Sequence, residues 1–124
     1  MEFNMNKAIN IIEKLQLFTE QWQPKVIAQM NDYQFKLAKI KGEFEWHRHS
    51  DTDEVFFLIE GKLIIHLRDH SIELEPMELY VVPKGVEHKP YAEEEAKIML
   101  IEPRGTANDG DNVGEITAKE EVWI

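Results

Sequence analysis

From Lys25 to Glu102 the chain is punctuated by turn-forming residues at intervals of about ten, and the intervals hold short runs of apolar and β-branched residues. Lys25–Met30 and Tyr33–Ile40 flank the hairpin signal Asn31-Asp32, and Gly42 interrupts next. Asp53–Ile59 and Leu63–Leu67 flank Glu60-Gly61, and Asp69-His70 separates Leu63–Leu67 from Ser71–Leu74. Pro76 turns the chain into Leu79–Val82, which Pro83-Lys84-Gly85 ends. Val86–Tyr91 and Ala96–Glu102 follow, joined through an acidic turn at Glu93-Glu94-Glu95, and Ile116–Ile124 offers a last short strand. Some eight to ten short strands so spaced predict an all-β sandwich or barrel. One helix precedes them. Ala8, Ile11, Ile12, Leu15 and Phe18 recur at three- and four-residue spacings, with Asn4 or Asn6 as its N-cap.

A strand with one buried face should alternate, yet Val55–Ile59, Leu63–Ile65 and Ile98–Ile101 are apolar on both parities. Something must cover their outer face. The N-terminal helix can cover part, and a second copy the rest, so a homodimer is expected. The 124 residues suit a single domain at 1–124, with the helix at about 6–18, the barrel core at about 25–103 and a Gly-, Asn- and Asp-rich tail at 104–124. Fourteen Lys and Arg against 24 Asp and Glu give a net charge of −10, which argues against nucleic acid and anionic membranes as partners. The absence of cysteine excludes disulfides, thiolate metal sites and Cys nucleophiles. With neither an apolar span nor a leader pattern evident, a cytoplasmic location is expected.

Four residues carry the chemistry. On a strand, His47 and His49 share a face. A short turn through Ser50-Asp51-Thr52 can return Glu54 to them, and a barrel can bring His88 alongside from a later strand. Three imidazoles and a carboxylate suit a divalent transition metal (Fe, Mn, Co, Ni, Cu or Zn) and leave positions open for water or substrate. Phe56 and Leu58 share parity with Glu54 and should line an apolar pocket around the ion, fit for a small-molecule ligand. Phe44 and Trp46 have the opposite parity to the two histidines and should point outward. His66 and His70 read as surface or structural residues, and Gly61 and Gly85 as positive-φ turn positions.

The run "GEFEWHRHSDTDEVFFLIEG" (Gly42–Gly61) resembles the first sequence motif of the cupin superfamily, and "MELYVVPKGVEHKPYA" (Met77–Ala92) resembles the second. The likeness spans most of Tyr33–Glu102. It implies a jelly-roll β-barrel, commonly dimeric, with His47, His49, Glu54 and His88 as metal ligands. There are three departures. Four residues separate Gly42 from His47, one fewer than usual; Met77 stands where motif two has glycine; and Ala92 stands where it ends in asparagine. None replaces a ligand.

Small cupins of this kind are often likened to mannose-6-phosphate isomerase. A phosphate would here depend on Arg48, Lys84 and Lys89. The expected function is therefore a metal-dependent enzyme on a small metabolite, of isomerase or oxygenase type. The alternatives are a non-enzymatic sugar- or small-molecule-binding cupin, or a barrel pinned by a structural metal.

Overall fold

Asn31 occupies the left-handed region (φ 56°) and turns strand β1 (Lys25–Met30) back onto β2 (Tyr33–Glu43), as the hairpin signal predicts. The structure is a computed structural model that describes residues 6–107 and 121–124. After β2 come β3 (Glu54–Glu60), β4 (Leu63–Leu67), β5 (Ser71–Leu74), β6 (Leu79–Val82) and β7 (His88–Pro103). All pair antiparallel, in the order β1-β2-β7-β3-β6, with β4 between β7 and β5. The architecture is an all-β jelly roll with one short helix.

Strand β7 organises the whole. Its first residues pair with β4, its later ones with β3, and β2 runs along its length. The sequence pattern predicts two strands here, broken at Glu93–Glu95, but β7 is continuous. Ile40 pairs with Ala96 and Gly42 with Ala92, so one residue of β2 faces the three glutamates. The acidic run is a bulge rather than a turn. Its side chains are exposed, and it bends β7 so that the two ends serve different partners. Gly61 (φ 97°) turns β3 into β4 directly against this bulge. A Cβ there would lie 3.1 Å from Ala96 Cα and 3.1 Å from Glu95 O.

Ala38, Ile40, Phe56, Leu58, Ile65, Ile98 and Leu100 fill the interior. A second cluster lies outside the sheet. There Leu15 and Phe18 pack on Ile27 and Leu37 of β1 and β2, with Ile59 and Met99 beside them. The N-terminal segment thus covers part of the apolar outer face, as expected. Its helix, α1 (Ile11–Leu15), is shorter than predicted. Asn10 caps it by accepting from Glu13 N–H at 3.0 Å, so Asn6 and Ala8 precede the helix, and Ile12 is exposed. Asn4 lies outside the described residues. At the other end, among the described residues, Trp123 pairs in a parallel bridge to Val26; residues 108–120, which hold most of the tail and the start of the expected last strand, also lie outside. Among the described residues no helix is long and apolar enough to cross a membrane.

Candidate metal centre

A glycine-dependent turn and the loop it clamps bring the histidines together. Pro83 O accepts from Val86 N–H at 3.1 Å across a tight turn in which Gly85 takes φ 80°, and the chain reverses into β7 with His88 first. His88 then exchanges both backbone hydrogen bonds with His47, at 2.9 and 3.0 Å. Gly85 N–H donates to His49 O at 2.8 Å, and Lys84 N–H to Asp53 Oδ1 at 2.8 Å. The loop after His49 is thereby clamped to the turn before His88, and Glu54 opens β3 facing inward.

The four side chains converge. His47, His49, Glu54 and His88 are all buried, and one donor atom from each lies within 4.8 Å of the others. Backbone carbonyls set the rings. His47 Nδ1–H donates to Glu45 O at 2.9 Å and His88 Nδ1–H to Val86 O at 3.0 Å, which leaves both Nε2 lone pairs aimed into the cluster. His49 Nε2 lies 3.1 Å, and His88 Nε2 3.3 Å, from Glu54 Oε1. His47 Nε2 is buried with no hydrogen-bond partner among the described residues. An orphaned imidazole lone pair beside three further donors is the arrangement a cation would complete.

The protonation states agree. Burial, then the neighbouring His88, pushes His47 down to about 4, so its ring is neutral at pH 7. Burial alone would push Glu54 up, but hydrogen bonds from Glu102 and His49 outweigh it and hold Glu54 well below the usual carboxylate range. Glu102 is the converse. Burial, then the Glu54 charge, raises it well above that range, against the pull of Lys36 Nζ at 2.8 Å. Of two buried carboxyl groups in contact, Glu54 carries the charge and Glu102 the proton.

Around the cluster, two sequence expectations are corrected, for Phe44 and for Leu58. Phe44 points inward. Its N–H bonds Pro90 O while His47 pairs with His88, so three steps on this strand match two on β7, and the parity slips between them. Phe44 meets His47 edge-on, with ring centroids 5.3 Å apart. Trp46 faces outward as expected, under the Arg68 guanidinium 3.9 Å from its ring. Phe56 lines the chamber beside the cluster, edge-on to His88 at 5.8 Å. Leu58 does not line it. Two residues along β3 carry it about 7 Å deeper into the core, where it is fully buried. His66 bonds Ser71 Oγ and His70 bonds Asp69, both away from the site.

Sequence reasoning passed over three residues. Glu102 was legible, since it continues the inward parity of Ala96, Ile98 and Leu100. Lys36 was legible in the same way from Ala38 and Ile40. Trp22 was not, because its place on the chamber wall depends on a loop conformation with φ 62°.

The cupin domain family model matches residues 35–102, more than half of the chain and both segments that build the cluster. The chain belongs to the cupin family. It is 33% identical over 86 residues to the uncharacterized protein YdbB of Bacillus subtilis (strain 168), covering 68% of this chain and 76% of that one. A crystal structure of a cupin-2 domain containing protein from Shewanella frigidimarina NCIMB 400 shares 62% identity at a TM-score of 0.79, covering 80% of this cupin and 97% of that chain. The hydroquinone 1,2-dioxygenase of Sphingomonas sp. TTNP3, solved with 4-hydroxybenzoate bound, shares 16% identity at a TM-score of 0.62, over 73% of this chain and 71% of that one. That last likeness is one of fold.

Proposed function

We propose that this cupin is a metal-dependent enzyme acting on a small organic metabolite, with His47, His49, Glu54 and His88 as the ligands of one divalent transition metal. The observation that carries this is the buried, unpartnered Nε2 of His47 facing three further donors. When bound, such a metal supplies Lewis acidity or dioxygen activation. The protein's own part is to present His47 neutral, to fix the His47 and His88 rings through Glu45 O and Val86 O, to keep Glu54 ionised beside a protonated Glu102, and to exclude water with Phe44 and Phe56.

Oxygenase-type chemistry is favoured over sugar-phosphate isomerisation. Neither lysine nor arginine is among the described residues that line the chamber beside His47. Arg48 and Lys84 are exposed, and Lys89 lies 3.6 Å from Glu43. An organic substrate has room in an open cleft of about 440 Å3 that His49, Asp51, Thr52 and Thr106 line, where Arg104, with Asp51 also on the wall, is the one lysine or arginine among the described lining residues. The fold shared with a hydroquinone dioxygenase is consistent with this reading.

The test is reconstitution. Metal-stripped protein incubated with Fe(II), Mn(II), Ni(II), Cu(II) or Zn(II) and desalted should retain about one equivalent, and His47→Ala should retain none. The loaded protein should then consume dioxygen with a hydroquinone. A wild-type chain that retains no metal refutes the centre, and full retention by His47→Ala refutes the ligand assignment. Retention without turnover of hydroquinone or sugars would favour the binding or structural reading instead.

We also propose that a second copy covers the remaining outer face. Val55 pairs with Val81 and Ile101, and Phe57 with Leu79 and Met99, which makes an apolar patch on which Leu79 and Val81 stay 56% and 43% exposed. Sedimentation equilibrium should find a dimer that Val81→Glu dissociates; a monomeric wild type overturns this.

A further inference from the structure

Trp22 is the least expected residue near the centre. It holds φ 62°, a conformation bulky L-residues rarely adopt, and the surroundings enforce it. Its N–H donates to Lys39 O at 2.9 Å and its indole Nε1–H to Lys41 O at 3.0 Å. Its ring stacks on Phe44, with centroids 4.7 Å apart and planes 20° from parallel, and Phe44 in turn meets His47. Backbone strain of this kind persists only where contacts over-determine it, and it concentrates at ligand clamps.

The stack closes a space. Trp22, Phe44, His47, Glu54, Phe56 and Ile98 border a chamber of about 30 Å3. A cavity of about 150 Å3 is known to hold benzene, and one water needs about 10–15 Å3, so this chamber admits a molecule of two or three heavy atoms and no ring. The geometry points to Trp22 as the residue that sets this limit: the apolar chamber beside His47 Nε2 is a binding site for a diatomic or triatomic ligand, and the Trp22–Phe44 stack excludes anything larger. The proposed metal gives that ligand its anchor, so the inference rests on the metal reading in that respect. The size limit itself does not.

The two are tested separately. Trp22→Gly removes the indole and also relaxes the left-handed backbone. In metal-free protein, benzene should shift the Ile98 and Leu100 methyl NMR signals in Trp22→Gly and leave the wild type unchanged. In Co(II)-loaded protein, azide should perturb the visible spectrum equally in both. There 4-phenylimidazole should bind Trp22→Gly at least about tenfold more tightly than wild type. Trp22→Phe keeps the stack with a smaller ring and should fall between them, which keeps the question open to measurement if the glycine variant does not fold. Equal benzene responses, or equal 4-phenylimidazole affinities, in wild type and variants would overturn the size limit. Failure to take up Co(II), with the benzene difference intact, would overturn the metal reading alone.

Discussion

Replacing Met77 with glycine should stabilise this protein. Glu75 O accepts from Glu78 N–H at 3.0 Å around Pro76-Met77, and Met77 takes φ 72°. That is a type II turn, which favours glycine at its third position. Met77 is 72% exposed, so little packing is lost with its side chain. A left-handed L-residue costs about 1–2 kcal/mol. Glycine returns about 0.4–1 kcal/mol of that through the greater freedom of the unfolded chain. The net gain is about 0.5–1 kcal/mol, which for a chain of this size is a rise in Tm of about 2–4 °C. Met77→Ala keeps the Cβ and should show no such rise. Thermal unfolding of the three proteins by circular dichroism decides the matter. If the glycine and alanine variants melt together, backbone strain at this turn is not what the substitution relieves.

Gly61→Ala should cost about 2–4 kcal/mol in urea unfolding, from its φ and from the 3.1 Å approach to Ala96 and Glu95, whereas Gly85→Ala, with open space around it, should cost about 1–2 kcal/mol; equal losses would refute the close approach. Protonation of His47 in the unfolded chain but not in the folded one should cost the metal-free protein about 3 kcal/mol as pH falls from about 6.5 to about 4, read as the difference between wild type and His47→Gln. Glu54, lowered, adds to this loss only below about its unfolded value of 4.5, whereas Glu102, raised, stabilises the fold as pH falls toward that value and so opposes His47 over the same range. Both carboxyls are common to wild type and His47→Gln, so equal pH slopes in the two above pH 4.5 would refute the His47 contribution. Lys36→Met should destabilise by about 3 kcal/mol, since it strips the cation from a buried carboxyl pair that bears one negative charge; an unchanged urea midpoint would place that charge elsewhere.

Most of the strand order was legible because punctuation here is chemical: Asn31-Asp32, Glu60-Gly61 and Pro83-Lys84-Gly85 each sit at a real reversal. The grouping of His47, His49, Glu54 and His88 was legible for the same reason, since the loop from His49 to Glu54 is short and Gly85 marks the turn before His88. What escaped depended on pairing between distant segments. Glu93–Glu95 reads locally as a turn, and only the register against β2 makes it a bulge. Phe44 reads as outward until the extra residue before His47 is counted against β7. The length of α1 was overestimated because the apolar spacing runs on to both sides of the short helix that Asn10 starts and Gln16 ends.

Because one strand is partner to three others, this molecule is assembled late. The β1–β2 hairpin can form as soon as it leaves the ribosome, but β3 must wait for β7 partners synthesised about forty residues afterwards and β4 for partners about twenty-five residues afterwards. Until then their apolar edges are unsatisfied and His47 has no counterpart. A nascent chain stalled before His88 would therefore be unclosed and would lack the fourth residue of the buried cluster, and the burden of keeping it soluble would fall on chaperones and on its surplus of carboxylates.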